Sequence, residues 1–242
     1  MQLSESTWTD VEEGAPDLAV LPVGSTEQHG PHAPLGTDSL IAEAIAESAA
    51  EQYDGEIAVA PTVPVAIAEE HRHFPGTLWV SSSTFRAYVS ETIESLFYHG
   101  CSRVVVVNGH GGNVNALREC CARLTRDNPA YVAPFTWFEA VSGRMGHGGT
   151  LETALISQIA PETIKTEKLE TAAEEGVEYW GEYQSGTNLA YDSIEFTANG
   201  VVGDPTQADE TLGEQLLTEA TEALLELLAT VDRRGLKAPD VP

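Results

Sequence analysis

Residues 21–38 read LPVGSTEQHGPHAPLGTD, and the rest of the chain is organised around them. An apolar run, Asp17 to Val23, leads in, and a run of helical character, Asp38 to Gln52, leads out. Gly24, Pro31, Pro34 and Gly36 bar the intervening segment from strand or helix interior, so it is a loop after a strand. That loop carries Glu27, His29, His32 and Asp38. A lone carboxylate or histidine in an acidic protein is ordinary. Mixed nitrogen and oxygen donors gathered in one Gly/Pro-rich turn are a candidate metal site, placed where a rigid scaffold holds a loop.

Working outward, strands and helices alternate. Glu56 to Ala60 is a second strand, ended by Pro61. Residues 62–80 form a long loop carrying His71 and His73, a length that usually serves function. Ser82 to His99 spaces Phe85, Val89, Ile93 and Leu96 along one helical face, with Gly100 beyond its end. Arg103 to Val107 holds four consecutive valines, as in a parallel strand covered on both faces. A glycine-rich turn follows, then a helix to about Arg126, a strand at Ala130 to Phe135, and a loop over 136–149. A helix covers Thr150 to Ile159, residues 174–205 are irregular, and an amphipathic helix closes the chain from Thr206 to Val231. The segment before Pro16 reads as a polar lead-in. This order predicts a single three-layer α/β/α domain over 1–242, with a largely parallel, doubly wound sheet. Ligands of such sheets bind beyond the carboxyl ends of the strands, near a switch in strand order. The Glu27 loop and His110 each follow a strand, so both belong at one sheet edge.

Composition narrows the function. Twelve Lys and Arg stand against 38 Asp and Glu, a net charge of −26, and Lys165, Lys168 and Lys237 are the only lysines. Such a polyanion repels nucleic acid and anionic lipid. No apolar run could span a bilayer, and the N-terminus lacks the basic and apolar regions of a signal peptide, so a cytoplasmic location is expected. Cys101, Cys120 and Cys121 lack the spacing of a disulfide framework or zinc ribbon and read as buried thiols.

The stretch PVGSTEQHGPHAPLGTD resembles the signature of the creatininase family of metal-dependent amidohydrolases. Four further blocks are similar in the family's order: FPGT at 74–77, VNGHGGN at 107–113, HGGTLET at 147–153 and GVVGDP at 200–205. The resemblance implies two divalent ions, with Asp38 bridging them, Glu27 and His110 completing one site and His29 belonging to the second. Donors of this type suit Zn, Mn, Fe or Ni better than a soft metal. Creatininase itself carries a glutamate two residues after the histidine of its NGH block, where this chain has Gly112. Glu152 is the candidate replacement; the alternative is a weak or vacant second site, with Glu152 serving as general base or supporting a ligand. Glu27, Asp38 and Glu152 would offset three of the four charges of two divalent ions, and a bridging hydroxide the fourth. The reaction so implied is attack of a metal-bound hydroxide on the carbonyl of a small non-peptide amide. His147 would protonate the leaving nitrogen. His32, His71 and Trp137 are candidate substrate contacts, and Phe138, Trp180 and Tyr183 could border the pocket. For His73 the surface is the favoured place.

Other readings stay open. The family includes an archaeal-type deformylase of a formylamino-pyrimidine ribotide, which would need an anion site at the helix after Asn113, with help from Arg72, Arg86 or Arg144. GHGGN after a valine strand admits a nucleotide-binding module, although it matches neither GxGxxG nor the P-loop. A non-catalytic metal-binding protein is the remaining possibility. The family also suggests a homo-oligomer, commonly a hexamer. The acidity itself predicts adaptation to high salt, where screening removes self-repulsion. Dialysis to low salt should then abolish the folded circular dichroism signal, and full stability at low salt would contradict the adaptation.

Overall fold

The computed structural model describes residues 1–236; Lys237 and the five residues after it lie outside them. Four strands form one parallel sheet: β1 (Leu18–Val23), β2 (Ile57–Val59), β3 (Arg103–Asn108) and β4 (Tyr131–Thr136). Their order is β2-β1-β3-β4, with Leu18 opposite both Ile57 and Arg103, and Arg103 opposite Tyr131. Side chains alternate faces along a strand, so the run 18–23 feeds two cores. Leu18 and Val20, with Val105 and Val107, pack under α2 (Thr37–Gln52), α6 (Thr150–Ile159) and α8 (Glu210–Asp232). Ala19, Leu21 and Val23, with Val104 and Val106, pack under α3 (Ser82–Tyr98) and α4 (Val114–Asp127). Helices on both faces explain the valine run of β3, all of it buried. This is the three-layer, doubly wound α/β arrangement that the alternation predicts.

Three departures have local causes. The lead-in contains α1 (Trp8–Gly14), held by a capping box in which Thr7 and Asp10 satisfy each other's amides. None of its residues is buried, so it lacks the apolar stripe by which a helix is read from sequence. The 136–149 loop begins with a single turn, α5 (Trp137–Ala140). The last helix starts at Glu210 rather than Thr206, because the Asp209 side chain accepts the Leu212 amide and caps it there. A short α7 (Leu169–Glu174) and a two-residue hairpin, β5 (Tyr183–Gln184) and β6 (Thr187–Asn188), occupy the irregular region. All three cysteines are free and buried. Among the described residues no helix is long and apolar enough to cross a membrane.

The switch in strand order lies between β1 and β3: the chain leaves β1 for β2 on one side, then returns to β3 on the other. The loops at 24–36 and 109–113 therefore leave the same sheet edge side by side. The Gly109 amide donates to the Val23 carbonyl at 2.8 Å.

Candidate metal centre

The donors are set by where β1, β3 and α6 end. Glu27 and His29 follow β1, Asp38 opens α2, His110 follows β3, and Glu152 lies in the first turn of α6. The two asparagines of the glycine-rich turn tie these loops together. Asn108 Nδ2 donates to the His110 carbonyl at 2.9 Å and its Oδ1 accepts the His110 amide at 3.1 Å. Asn113 Nδ2 donates to the Gly24 carbonyl at 3.0 Å, joining the two strand-end loops. Gly109 is required by contact: a Cβ there would lie 2.1 Å from the Asp38 carbonyl oxygen.

Glu27, His29, Asp38, His71, His110, His147 and Glu152 are all buried and meet in one basin. His110 Nδ1 lies 3.2 Å from Glu27 Oε1 and 3.2 Å from Asp38 Oδ2. His29 Nε2 lies 3.0 Å from Asp38 Oδ1 and 3.6 Å from Glu152 Oε1. His147 Nδ1 lies 3.7 Å from Glu27 Oε1. In each of these three imidazoles the far nitrogen is committed to a backbone carbonyl: His110 Nε2 to Ile67 at 2.6 Å, His29 Nδ1 to Glu27 at 3.2 Å, His147 Nε2 to Gln28 at 2.5 Å. A nitrogen facing a carbonyl must donate, so in the neutral ring the near nitrogen is a lone pair. Lone pairs of the neutral rings thus face carboxylate oxygens, an arrangement that repels unless a proton or a metal ion stands between them.

The titration of the basin agrees. Burial opposes charge on His29, yet Asp38 and Glu152 raise its pKa well above the ordinary imidazole value. Burial likewise opposes charge on His110, and Glu27 and Asp38 raise it well above that value. Burial disfavours the Asp38 carboxylate, but His29 and His110 hold its pKa well below the usual range. Positive charge is demanded at both nitrogens, and Glu27 Oε1, Glu27 Oε2 and Asp38 Oδ2 have no hydrogen-bond partner. A divalent ion meets these demands. Three groups of side chains bring donor atoms within 4.8 Å of one another: Glu27, Asp38 and His110; His29, His147 and Glu152; and Glu27, His71 and His147.

His71 differs from the other three. Gln28 is fixed by the Gly30 amide, which donates to its Oε1 at 2.9 Å, and by its Nε2 donating to the Gly200 carbonyl at 3.2 Å. The same Nε2 lies 2.9 Å from His71 Nδ1, so Nδ1 accepts and Nε2 carries the hydrogen. That N–H faces Glu27 Oε1 at 3.3 Å. Burial, then the neighbouring His147, hold the His71 pKa well below its ordinary value, keeping the ring neutral.

The basin opens into a cavity of about 510 Å³ walled by Phe138, Met145, Trp180 and Tyr183. His71 lines it, as expected of a substrate contact. Two other expected substrate contacts do not. Trp137 is fully buried in the core against Phe138, because α5 turns it under the sheet. His32 is buried behind the basin, its Nε2 2.9 Å from Thr153 Oγ1, and burial followed by the charge of His29 pushes its pKa down to about 4. His73 is about half exposed and pairs with Asp192 at 2.9 Å. Among the described residues lining the cavity there is no Lys or Arg. Arg72 bridges Glu69 and Asp192, Arg86 binds Glu119, and Arg144 donates to the Glu178 carbonyl over the Tyr179 ring.

Gly112 has a reason that sequence could not supply. A Cβ there would lie 2.4 Å from the Ile67 carbonyl oxygen, 2.5 Å from His110 Nε2 and 3.1 Å from Glu70 Oε1. The loop that orients His110 and brings Glu70 into the cavity fills the space of a side chain at 112. Glu70 was missed; its signal was adjacency to His71 in the long 62–80 loop.

A doubly wound parallel sheet with a buried carboxylate–imidazole basin at its switch point defines the class, an α/β protein with the donor set of a metal-dependent hydrolase. The family model described as creatinine amidohydrolase matches residues 4–228, and the chain belongs to this creatininase family of amidohydrolases. It is 34% identical to the mycofactocin precursor peptide peptidase of Mycolicibacterium smegmatis, over 90% of this chain and 88% of that one. It is 29% identical to the creatinine amidohydrolase of Pseudomonas putida, over 69% of this chain and 75% of that one. A solved tryptophan-to-alanine variant of creatininase superposes with a TM-score of 0.82 at 22% identity, covering 96% of this chain and 99% of that one. Solved creatininases of the same fold include a Mn form and a Zn–Zn form.

Gly112→Ala should break the His110–Ile67 hydrogen bond. Metal affinity, followed by titration calorimetry, should fall by about 10–100-fold, the usual effect of losing the partner that orients a ligating histidine. Unchanged affinity would contradict that orienting role.

Proposed function

We propose that this chain hydrolyses an amide C–N bond with two divalent ions. Glu27, Asp38 and His110 would hold one, and His29, Asp38 and Glu152 the other, Asp38 being shared. The observation that carries this reading is the convergence of imidazole nitrogens on buried carboxylates whose Glu27 Oε1, Glu27 Oε2 and Asp38 Oδ2 have no hydrogen-bond partner. The Gly148 amide, 2.6 Å from Glu152 Oε2, orients that carboxylate so that Oε1 is the oxygen turned to His29. Bound there, such ions supply a Lewis acid for the amide carbonyl and lower the pKa of a coordinated water. Mn and Zn, the metals of the solved creatininases, are the first to try, with Fe third.

The residues around that pair have distinct tasks. His147 presents the Nδ1 lone pair to the cavity and is held neutral by burial, then by the charge of His29. It accepts a proton at Nδ1 and returns it to the leaving nitrogen, the transfer that amide cleavage requires. His71, with its hydrogen on Nε2, stands 3.3 Å from Glu27 Oε1 and lines the cavity rather than ligating. Phe138, Trp180 and Tyr183 exclude water and give the substrate a flat wall.

The substrate is a neutral or cationic amide. The absence of Lys and Arg from the described cavity wall argues against a phosphorylated ribotide, whose phosphate would find no cationic side chain there. A small non-peptide amide fits the cavity. A peptide bond is the second reading, favoured by the relative named a peptide peptidase. We further propose a homo-oligomer, as the family suggests.

Asp38→Asn should keep the fold, since Asn serves the start of α2 as well. It should lose at least one metal equivalent by elemental analysis and at least about a hundredfold in turnover over a panel of creatinine, formamides and short peptides. Wild-type metal content and turnover in the folded variant would refute the shared ligand.

A further inference from the structure

Four carboxylates line the cavity: Glu27, Asp38, Glu152 and Glu70. The first three belong to the donor set proposed above. Glu70 does not, for it belongs to none of the groups whose donor atoms converge. Among the described residues no other side chain hydrogen-bonds or ion-pairs with its carboxylate, which meets its own backbone amide. Arg72, two residues on, turns away to Glu69 and Asp192. Asp192, the other acid near Glu70, is neutralised by Arg72 and His73, each at 2.9 Å. A half-buried carboxylate without a charged partner is costly, and the cost is relieved when a cation binds.

The position of Glu70 is built rather than incidental. Ala68 to His71 make a tight turn in which the His71 amide returns to the Ala68 carbonyl at 3.0 Å. The Ser193 hydroxyl donates to the Glu70 carbonyl at 3.0 Å. Oε1 then stands 3.1 Å from where a side chain at 112 would begin, and only glycine there leaves that space open. Trp180, 5.5 Å from the ring of the adjacent His71, lines the same cavity. An indole and a carboxylate lining one cavity suit a protonated amine, which gains from either.

We propose that Glu70 is a specificity residue of this site, binding a protonated amine on the amide substrate and selecting cationic amides over neutral ones. The assignment rests on the amidohydrolase reading and narrows its substrate class. Glu70 holds the amine by a charge-assisted hydrogen bond beside Trp180, while the amide carbonyl faces Glu27, Asp38 and Glu152. No bond is made or broken at Glu70, so its effect falls on binding rather than turnover.

The test uses the full chain loaded with Mn, its metal content measured first, and two probes of nearly equal shape. Glycinamide carries an ammonium group below neutral pH, and glycolamide carries a hydroxyl in its place. Calorimetric titration should show wild-type protein binding glycinamide at least about tenfold more tightly than glycolamide. Glu70→Gln should bind the two about equally with unchanged metal content, and Glu70→Asp, which keeps the charge, should retain a preference. Equal affinities in the wild type, no measurable glycinamide binding, or a preference that survives Glu70→Gln would overturn the assignment to Glu70 alone. A wild-type protein that takes up no metal would overturn the amidohydrolase reading and this assignment together.

Discussion

Everything at this sheet edge depends on one contact that demands positive charge: His110 Nδ1 faces Glu27 and Asp38 at 3.2 Å each, while its Nε2 is pinned to Ile67. At such separations like partial charges in a low-dielectric interior repel strongly. A ring free to turn would relieve the repulsion, but the committed Nε2 hydrogen prevents it. The contact is therefore favourable only when positive charge, a proton or a metal ion, occupies it, as the raised His110 pKa shows. His29 repeats the device against Asp38 and Glu152. Two such contacts sharing Asp38 are the geometry on which the proposal of two cations rests.

The fold makes this geometry affordable by dividing the labour. The paired faces of β1 and β3 supply two hydrophobic cores, so the strand ends are rigid before the donors are placed. Asn108 and Asn113 then lock the loops with backbone hydrogen bonds, and Gly109 and Gly112 let three backbones close to contact distance. The glycine-rich turn that resembles a nucleotide loop is thus accounted for by packing. Its glycines admit Asp38 and Ile67, and its amides are not needed to hold a phosphate.

Much of this was legible in the sequence, for identifiable reasons. The valine run of β3 and the apolar run before Gly24 encode buried parallel strands, and Gly and Pro bracket the donor loop, so fold and first donors follow from local pattern. Glu27, His29, Asp38, His110 and Glu152 converge as the family blocks imply. What stayed hidden was set by tertiary contact. Trp137 looked like a pocket wall because residues 136–149 read as loop, and one helical turn buried it. The orientation of His71 depends on Gln28, Gly30 and Gly200, which sequence separates by up to 172 positions. Glu70 had only its adjacency to His71 as a signal, because its place in the cavity depends on the space left at Gly112, and α1 had none because a helix with no buried residue has no apolar stripe.

The central claim is that the basin is a site for two metal ions sharing Asp38. Crystals grown with Mn or Zn, and diffraction collected on both sides of the metal's absorption edge, test it most directly. The account predicts two anomalous peaks, one among Glu27, Asp38 and His110 and the other among His29, Asp38 and Glu152. A basin with no anomalous peak in metal-saturated crystals, its imidazoles simply paired with the carboxylates, would contradict it.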